Sequence, residues 1–191
     1  MAEDSNSKKM DVEFEKNQDK MNLYSRQIGT FGVETMKHLV TLDVLVIGCK
    51  GVGAEAAKNL ILAGPRSVTI YDAGVVELMD LCANCFFNES KVGQRRTAAC
   101  LDQLKVLNPY VTVDEYPAGA TLADVIADVT KGRYGFVLAT DSSLGYKDLA
   151  AIDAACRGAG AGLSVGLSTG VTATLFSDFG ASHTITDADG E

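Results

Sequence analysis

The segment Gly48-Cys49-Lys50-Gly51-Val52-Gly53 carries the densest chemical potential in this chain. It follows the β-branched run Val44-Leu45-Val46-Ile47 and opens an apolar-periodic stretch, so it joins a strand to a helix. That is the context in which a glycine loop implies a nucleotide. The first turn of such a helix offers free N–H groups and a positive dipole end to a phosphate. Asp72 stands 19 residues past Gly53 at the end of the next apolar run, where a carboxylate meets a ribose hydroxyl. The usual fingerprint has a second glycine that lets bare backbone approach the phosphate, and here that position is Lys50. Two readings stand open: Lys50 adds charge to a phosphate, or its stem fills the phosphate's space. A tight turn and close helix packing account for Gly48, Gly51 and Gly53 without any ligand, so the second reading carries more weight. A working dinucleotide dehydrogenase is not expected.

The other reactive residues form no pattern. Cysteines 49, 82, 85, 100 and 156 are an odd set, as expected of free thiols in a reducing compartment. Cys82 and Cys85 make one C-x-x-C without the second pair that structural zinc requires, so no metal site is expected. His38 and His183 lie far apart and read as surface or loop residues. Asp187, Asp189 and Gly190 resemble the start of a calcium loop that the remaining sequence is too short to close. Arg95 and Arg96 read most simply as solvated residues in the first turn of a helix.

Positioning these groups requires alternating elements. Residues 1–20 mix six acids and four lysines with few apolar side chains and read as a mobile tail, giving a tail over 1–21 and a domain over 22–191. Residues 23–40 are apolar at helical spacing but interrupted by Gly29 and Gly32, which predicts two short helices. Strands are expected at 44–47, 68–71, 111–116, 136–139 and 163–167, with helices at 54–62, 94–107, 122–129 and 144–156. Two further strands are expected at 171–179 and 182–187, with no helix between them, pairing antiparallel. The fold class is therefore α/β: a Rossmann-like, doubly wound, mostly parallel sheet with helices on both faces and a short antiparallel end.

Composition narrows the partners. The 191 residues carry a net charge of −8 and 47% hydrophobic side chains. A chain of this size builds a core without staples. The acidic balance disfavours nucleic acid and anionic lipid as partners. No apolar run reaches the ~18 residues of a membrane span, and no signal peptide is evident, so an intracellular protein is expected.

With the loop placed, the opening Leu23-Tyr24-Ser25-Arg26-Gln27-Ile28 becomes informative. Together with residues 44–53, Ala57-Lys58-Asn59-Leu60-Ile61-Leu62-Ala63-Gly64, Tyr71-Asp72, Val92-Gly93, Leu107-Asn108-Pro109, 176–180 and 186–191, it resembles the ubiquitin-activating enzyme family. The likeness covers about residues 22–191 and is to the amino-terminal, catalytically inactive adenylation (ThiF-like) half. It implies a pseudo-dimer of two adenylation folds of which only the other half catalyses. The complete enzyme would use ATP and Mg to form ubiquitin adenylate and then a thioester, passing ubiquitin to conjugating enzymes in cytoplasm and nucleus. The chain is then expected to be the first part of a longer enzyme, with no cofactor and no metal of its own.

The resemblance also implies residue roles. Active members carry a second aspartate at the position of Gly74, an arginine at that of Ala83 and a lysine at that of Gln94. Those losses remove charges that hold ribose, phosphate or metal. Asp141 matches the active half's magnesium aspartate and is retained, leaving Gly48, Lys50, Gly51, Gly53, Asp72 and Asp141 as a vestigial loop. Arg26 is expected to reach in trans to the triphosphate of the active half, against the plainer alternative of a helix-surface arginine paired with an acid. Two rivals are an inactive subunit of a SUMO-type activating enzyme, disfavoured because Ser25 stands where those relatives tend to have Asp, and an independent NAD(P)-dependent oxidoreductase, disfavoured by Lys50.

Overall fold

A computed structural model describes residues 17–184. The chain runs α1 (Gln18–Leu23), α2 (Ser25–Thr41), β1 (Asp43–Ile47), α3 (Gly51–Ala63), β2 (Ser67–Tyr71), 3-10 turns at Leu78–Cys82 and Glu89–Lys91, α4 (Arg96–Lys105), β3 (Thr112–Glu115), α5 (Leu122–Thr130), β4 (Phe136–Ala139), α6 (Tyr146–Ala159), β5 (Gly162–Ser168) and β6 (Ala173–Asp178). The strands form one sheet in the order β3-β2-β1-β4-β5-β6. The first five are parallel, and β5–β6 is antiparallel.

Alternation along β1 shows why the sheet is covered twice. Val44 and Val46 enter a cluster with Ala57 and Ile61 of α3 and Cys100 and Leu104 of α4. Leu45 and Ile47 face the opposite way, against Val125 and Val129 of α5 and Ile152 and Cys156 of α6. Both sets are fully buried, as in a central parallel strand. A third, smaller cluster forms around Tyr24 and Met36 beneath α1 and α2.

Several boundaries differ from the sequence reading. Helix begins at Gln18, inside the expected tail, because the Asn17 side chain caps it by accepting from the Lys20 N–H. Residues 1–16 lie outside the described residues. The expected break in the next helix falls at Gly32, where φ is 80° and ψ 160°, while Gly29 is accommodated within α2. The helix expected from Gln94 starts at Arg96, because Arg95 forms an antiparallel bridge with Val75. The last strand pairs with β5 through a reversal at 169–172, with Gly170 at φ 89° and the Thr169 N–H donating to the Thr172 carbonyl at 2.9 Å. No strand follows it over 182–184, because the chain turns away at Gly180, whose φ is 87° and whose N–H donates to Asp178. The rest of that expected strand, and the calcium-loop residues Asp187, Asp189 and Gly190, lie outside the described residues.

Candidate functional site

β1 delivers the glycine loop to the carboxyl edge of the sheet, where the Gly48 N–H donates to the Tyr71 carbonyl at 2.7 Å. Gly48 has φ 99°, and a Cβ there would stand 2.6 Å from the Asp141 backbone nitrogen. Gly53 has no room either: a Cβ would overlap the Gly48 carbonyl oxygen and come within 2.6 Å of Thr140 Oγ1, which itself donates to the Ile47 and Gly48 carbonyls. At Gly51 a Cβ would meet the Ala83 methyl at 2.9 Å. Three glycines thus let α3, β1 and the end of β4 approach one another, whatever else they do. Lys50 is half-buried at the helix N-cap, and its charge helps to keep the Asp80 carboxyl ionised.

Asp72 closes β2 with both carboxylate oxygens engaged. Oδ2 accepts from the Cys49 N–H at 2.7 Å, and Oδ1 accepts from the Gly74 N–H at 2.8 Å and from Arg96 Nη1 at 3.2 Å. The expectation of a solvated Arg96 is therefore wrong. Its side chain is 7% exposed, and Nε donates to Asp80 at 2.8 Å while Nη2 lies 3.4 Å from Glu77. Burial disfavours the guanidinium's charge, but Asp80 and Asp72 raise its pKa above the ordinary value nonetheless. Burial likewise opposes the Asp80 charge, and the Glu77 N–H and Arg96 hold its carboxyl below the usual range. Arg95 is also not free in solvent: it is half-buried and paired with Glu115 at 2.7 Å. The signal for Arg96 was present in the sequence. Residues 96, 100 and 104 recur every fourth position, and the buried stripe of Cys100 and Leu104 passes through it.

Gly74 lies under the same guanidinium. A Cβ at this position would overlap Nη1 and stand 2.9 Å from Cζ, so a side chain fits only if Arg96 leaves Asp72. Of the remaining expected differences, Ala83 packs on Gly51, and the exposed Gln94 side chain donates back to the Ser90 carbonyl. Asp141 follows β4 beside Gly48, its Oδ1 accepting from the Ser143 N–H at 2.9 Å. A cleft of about 260 Å³ opens between the ends of β2 and β3, lined by Tyr71, Asp72, Arg95, Tyr116 and Gly119. Among the described residues no group of three or more His, Cys, Asp or Glu side chains is placed to hold a metal ion. Cys82 and Cys85 are exposed free thiols, and His38 and His183 are exposed.

Arg26 lies outside this cluster, exposed in the first turn of α2. No acid among the described residues pairs with it. Its placement depends on Tyr24, two residues earlier and 3% exposed. The Asn108 side-chain amide donates to the Tyr24 hydroxyl at 2.8 Å and to the Ile61 carbonyl at 2.9 Å. Gly64, at φ 96°, leaves space for the ring, since a Cβ would come 2.7 Å from Tyr24 Cε1. Three segments far apart in sequence therefore meet at one point, a convergence that single-sequence reasoning does not disclose.

The ThiF family model matches residues 24–173. This chain belongs to the ThiF family. Within it, the chain is 40% identical over 175 residues to "Ubiquitin-activating enzyme E1 1" of Triticum aestivum, covering 89% of this chain and 16% of that protein. It is 35% identical over 169 residues to "Ubiquitin-like modifier-activating enzyme 1" of Homo sapiens, covering 88% and 15%. The chain thus spans about a sixth of these curated relatives, within their adenylation region. Among solved structures, E. coli tRNA N6-threonylcarbamoyladenosine dehydratase, TcdA, superposes with a TM-score of 0.66 at 19% identity, over 78% of this chain and 61% of that one. A second TcdA structure, in complex with AMP, superposes with the same score over 60% of its chain. The ThiF family assignment agrees with the Rossmann-like sheet. No helix among the described residues is long and apolar enough to cross a membrane.

Proposed function

We propose that this ThiF-family chain is the first part of the inactive adenylation half of a ubiquitin-activating enzyme. It acts as scaffold to a catalytic half that binds ATP and Mg, forms ubiquitin adenylate and leads to the thioester. The supporting observation is the position of Arg96. Its guanidinium sits on Asp72 and fills the space above Gly74, so a ribose would have to displace a buried ion pair. The loop residues Gly48, Lys50, Gly51 and Gly53 then serve packing, and Asp141 is one carboxylate without the arginine and lysine of active members, whose positions Ala83 and Gln94 hold. The residues present do not fit ATP. The 35–40% identity to ubiquitin-activating enzymes over most of the chain supports ubiquitin as the modifier and ubiquitin-conjugating enzymes as the downstream partners.

Arg26 is the chemical contribution of this half. Exposed, without an acid partner among the described residues and two residues from the Tyr24–Asn108 contact, it is available to a triphosphate bound on the partner half of the pseudo-dimer, where a guanidinium stabilises charge developing as pyrophosphate leaves. Calorimetric titration of the isolated chain with Mg-ATP and with NAD and NADP tests the scaffold reading: no binding of any is expected. ATP bound at Asp72 with micromolar affinity, or pyrophosphate exchange by the isolated chain with ubiquitin, overturns it.

A further inference from the structure

We propose that Cys49 and Cys100 form an oxidative modification site, an internal disulfide that fastens the glycine loop to α4 when a peroxide reaches it. Cys49 lies in the loop and Cys100 one turn beyond Arg96, and their Sγ atoms are 3.3 Å apart with both residues fully buried. A disulfide has its sulfurs ~2.05 Å apart, so closing the bond requires a movement of about 1.2 Å. The surroundings hold both partners to that approach. The Cys49 N–H donates to Asp72 at 2.7 Å and its carbonyl accepts from the Asn84 amide at 3.0 Å, while Cys100 Sγ sits 3.4 Å from the Arg96 and Thr97 carbonyls. No other pair competes for these two sulfurs. Cys156 is buried on the opposite face of the sheet, and Cys82 and Cys85 are exposed.

The reaction balances with hydrogen peroxide as the oxidant. One thiolate sulfur attacks a peroxide oxygen, the O–O bond breaks, and the leaving hydroxide takes up a proton as water, giving a sulfenic acid. The second sulfur, losing its proton, attacks the first and expels the sulfenic oxygen as a second water. Two thiols and one peroxide become one disulfide and two waters, with the sulfurs oxidised and the peroxide oxygens reduced. The Cys100 hydrogen bond and burial push the Cys49 thiol up, so the step is slow at neutral pH and accelerates as pH rises. A bond here would tie together the loop, Asp72 and the helix carrying Arg96.

Peptide mapping of the peroxide-treated protein tests this. A C82S/C85S variant is exposed to graded hydrogen peroxide, its remaining thiols are blocked with N-ethylmaleimide under denaturing conditions, and the non-reduced digest is read by mass spectrometry. A reductant-sensitive peptide joining Cys49 to Cys100 is expected, with Cys156 recovered blocked, and the thermal midpoint should rise by about 10 °C. Cys100→Ser should leave Cys49 blockable, and wild-type mapping decides the matter if that variant does not fold. Recovery of Cys49 and Cys100 as free thiols or sulfinic acids, linkage of either to Cys156, or a midpoint that falls on linkage overturns the proposal.

Discussion

A single guanidinium organises the carboxyl edge of this sheet, and its removal has a pH signature. Arg96 sits between Asp72 and Asp80, whose side chains are 2% and 9% exposed. The folded pKa of Asp80 lies below the unfolded value near 3.8, so its stabilisation is complete above that pH and is lost as pH falls through the lower folded value. Arg96→Met takes the ion-pair partner from the buried Asp72 and Asp80 carboxylates and should cost about 3–5 kcal/mol at pH 7. At Asp80 burial, which opposes the charge, then loses the Arg96 contribution that offset it, so the deficit narrows on acidifying toward pH 4. Urea melts of both proteins at the two pH values read this out, and a deficit independent of pH contradicts it. At Arg26 the opposite pattern holds. Arg26→Ala should leave the melting midpoint of the complete enzyme within about 1 °C, since the side chain is exposed. Its ubiquitin-dependent pyrophosphate exchange should fall at least about tenfold, with partial recovery in Arg26→Lys. Unchanged exchange would remove the trans role.

Among the elements, the joints are more exacting than the elements they join. Gly53→Ala would drive a methyl into the Gly48 carbonyl, where backbone on both sides prevents relaxation, and should destabilise by about 3 kcal/mol in denaturant titration. The α1–α2 pair, by contrast, packs on a small cluster that the Asn108 amide ties to the rest of the fold. Asn108→Ala removes donors to Tyr24 and Ile61 and an acceptor for the Tyr110 N–H, and should cost about 2 kcal/mol. Amide exchange in α1 and α2 should quicken more than in β1. Uniform quickening across the sheet would show that the anchor is not local. The sequence does not mark Asn108 as a tether, because its partners lie 84 and 47 residues away.

Among the described residues, the β6 edge of the sheet is apolar. β6 pairs on one side with β5, Leu175 and Phe176 are 85% and 51% exposed, and a groove of about 380 Å³ runs between this strand and α6 past Tyr146 and Leu149. An apolar edge strand invites association. The isolated chain should therefore show mass rising with concentration in sedimentation, and Leu175→Lys should suppress it; a strict monomer at all concentrations would contradict this. The sequence by itself determined the alternation of strands and helices from β1 to β5, the two-sided burial of β1 and the glycine loop's location, because apolar periodicity and turn residues act over a few neighbours. It also carried the motifs by which the ThiF family is recognised. Tertiary structure alone decided that Asp72 is the partner of Arg96, that Tyr24 meets Asn108 and Gly64, and that Cys49 touches Cys100. Each of those depends on which distant segments the sheet order brings together, and local spacing does not encode that.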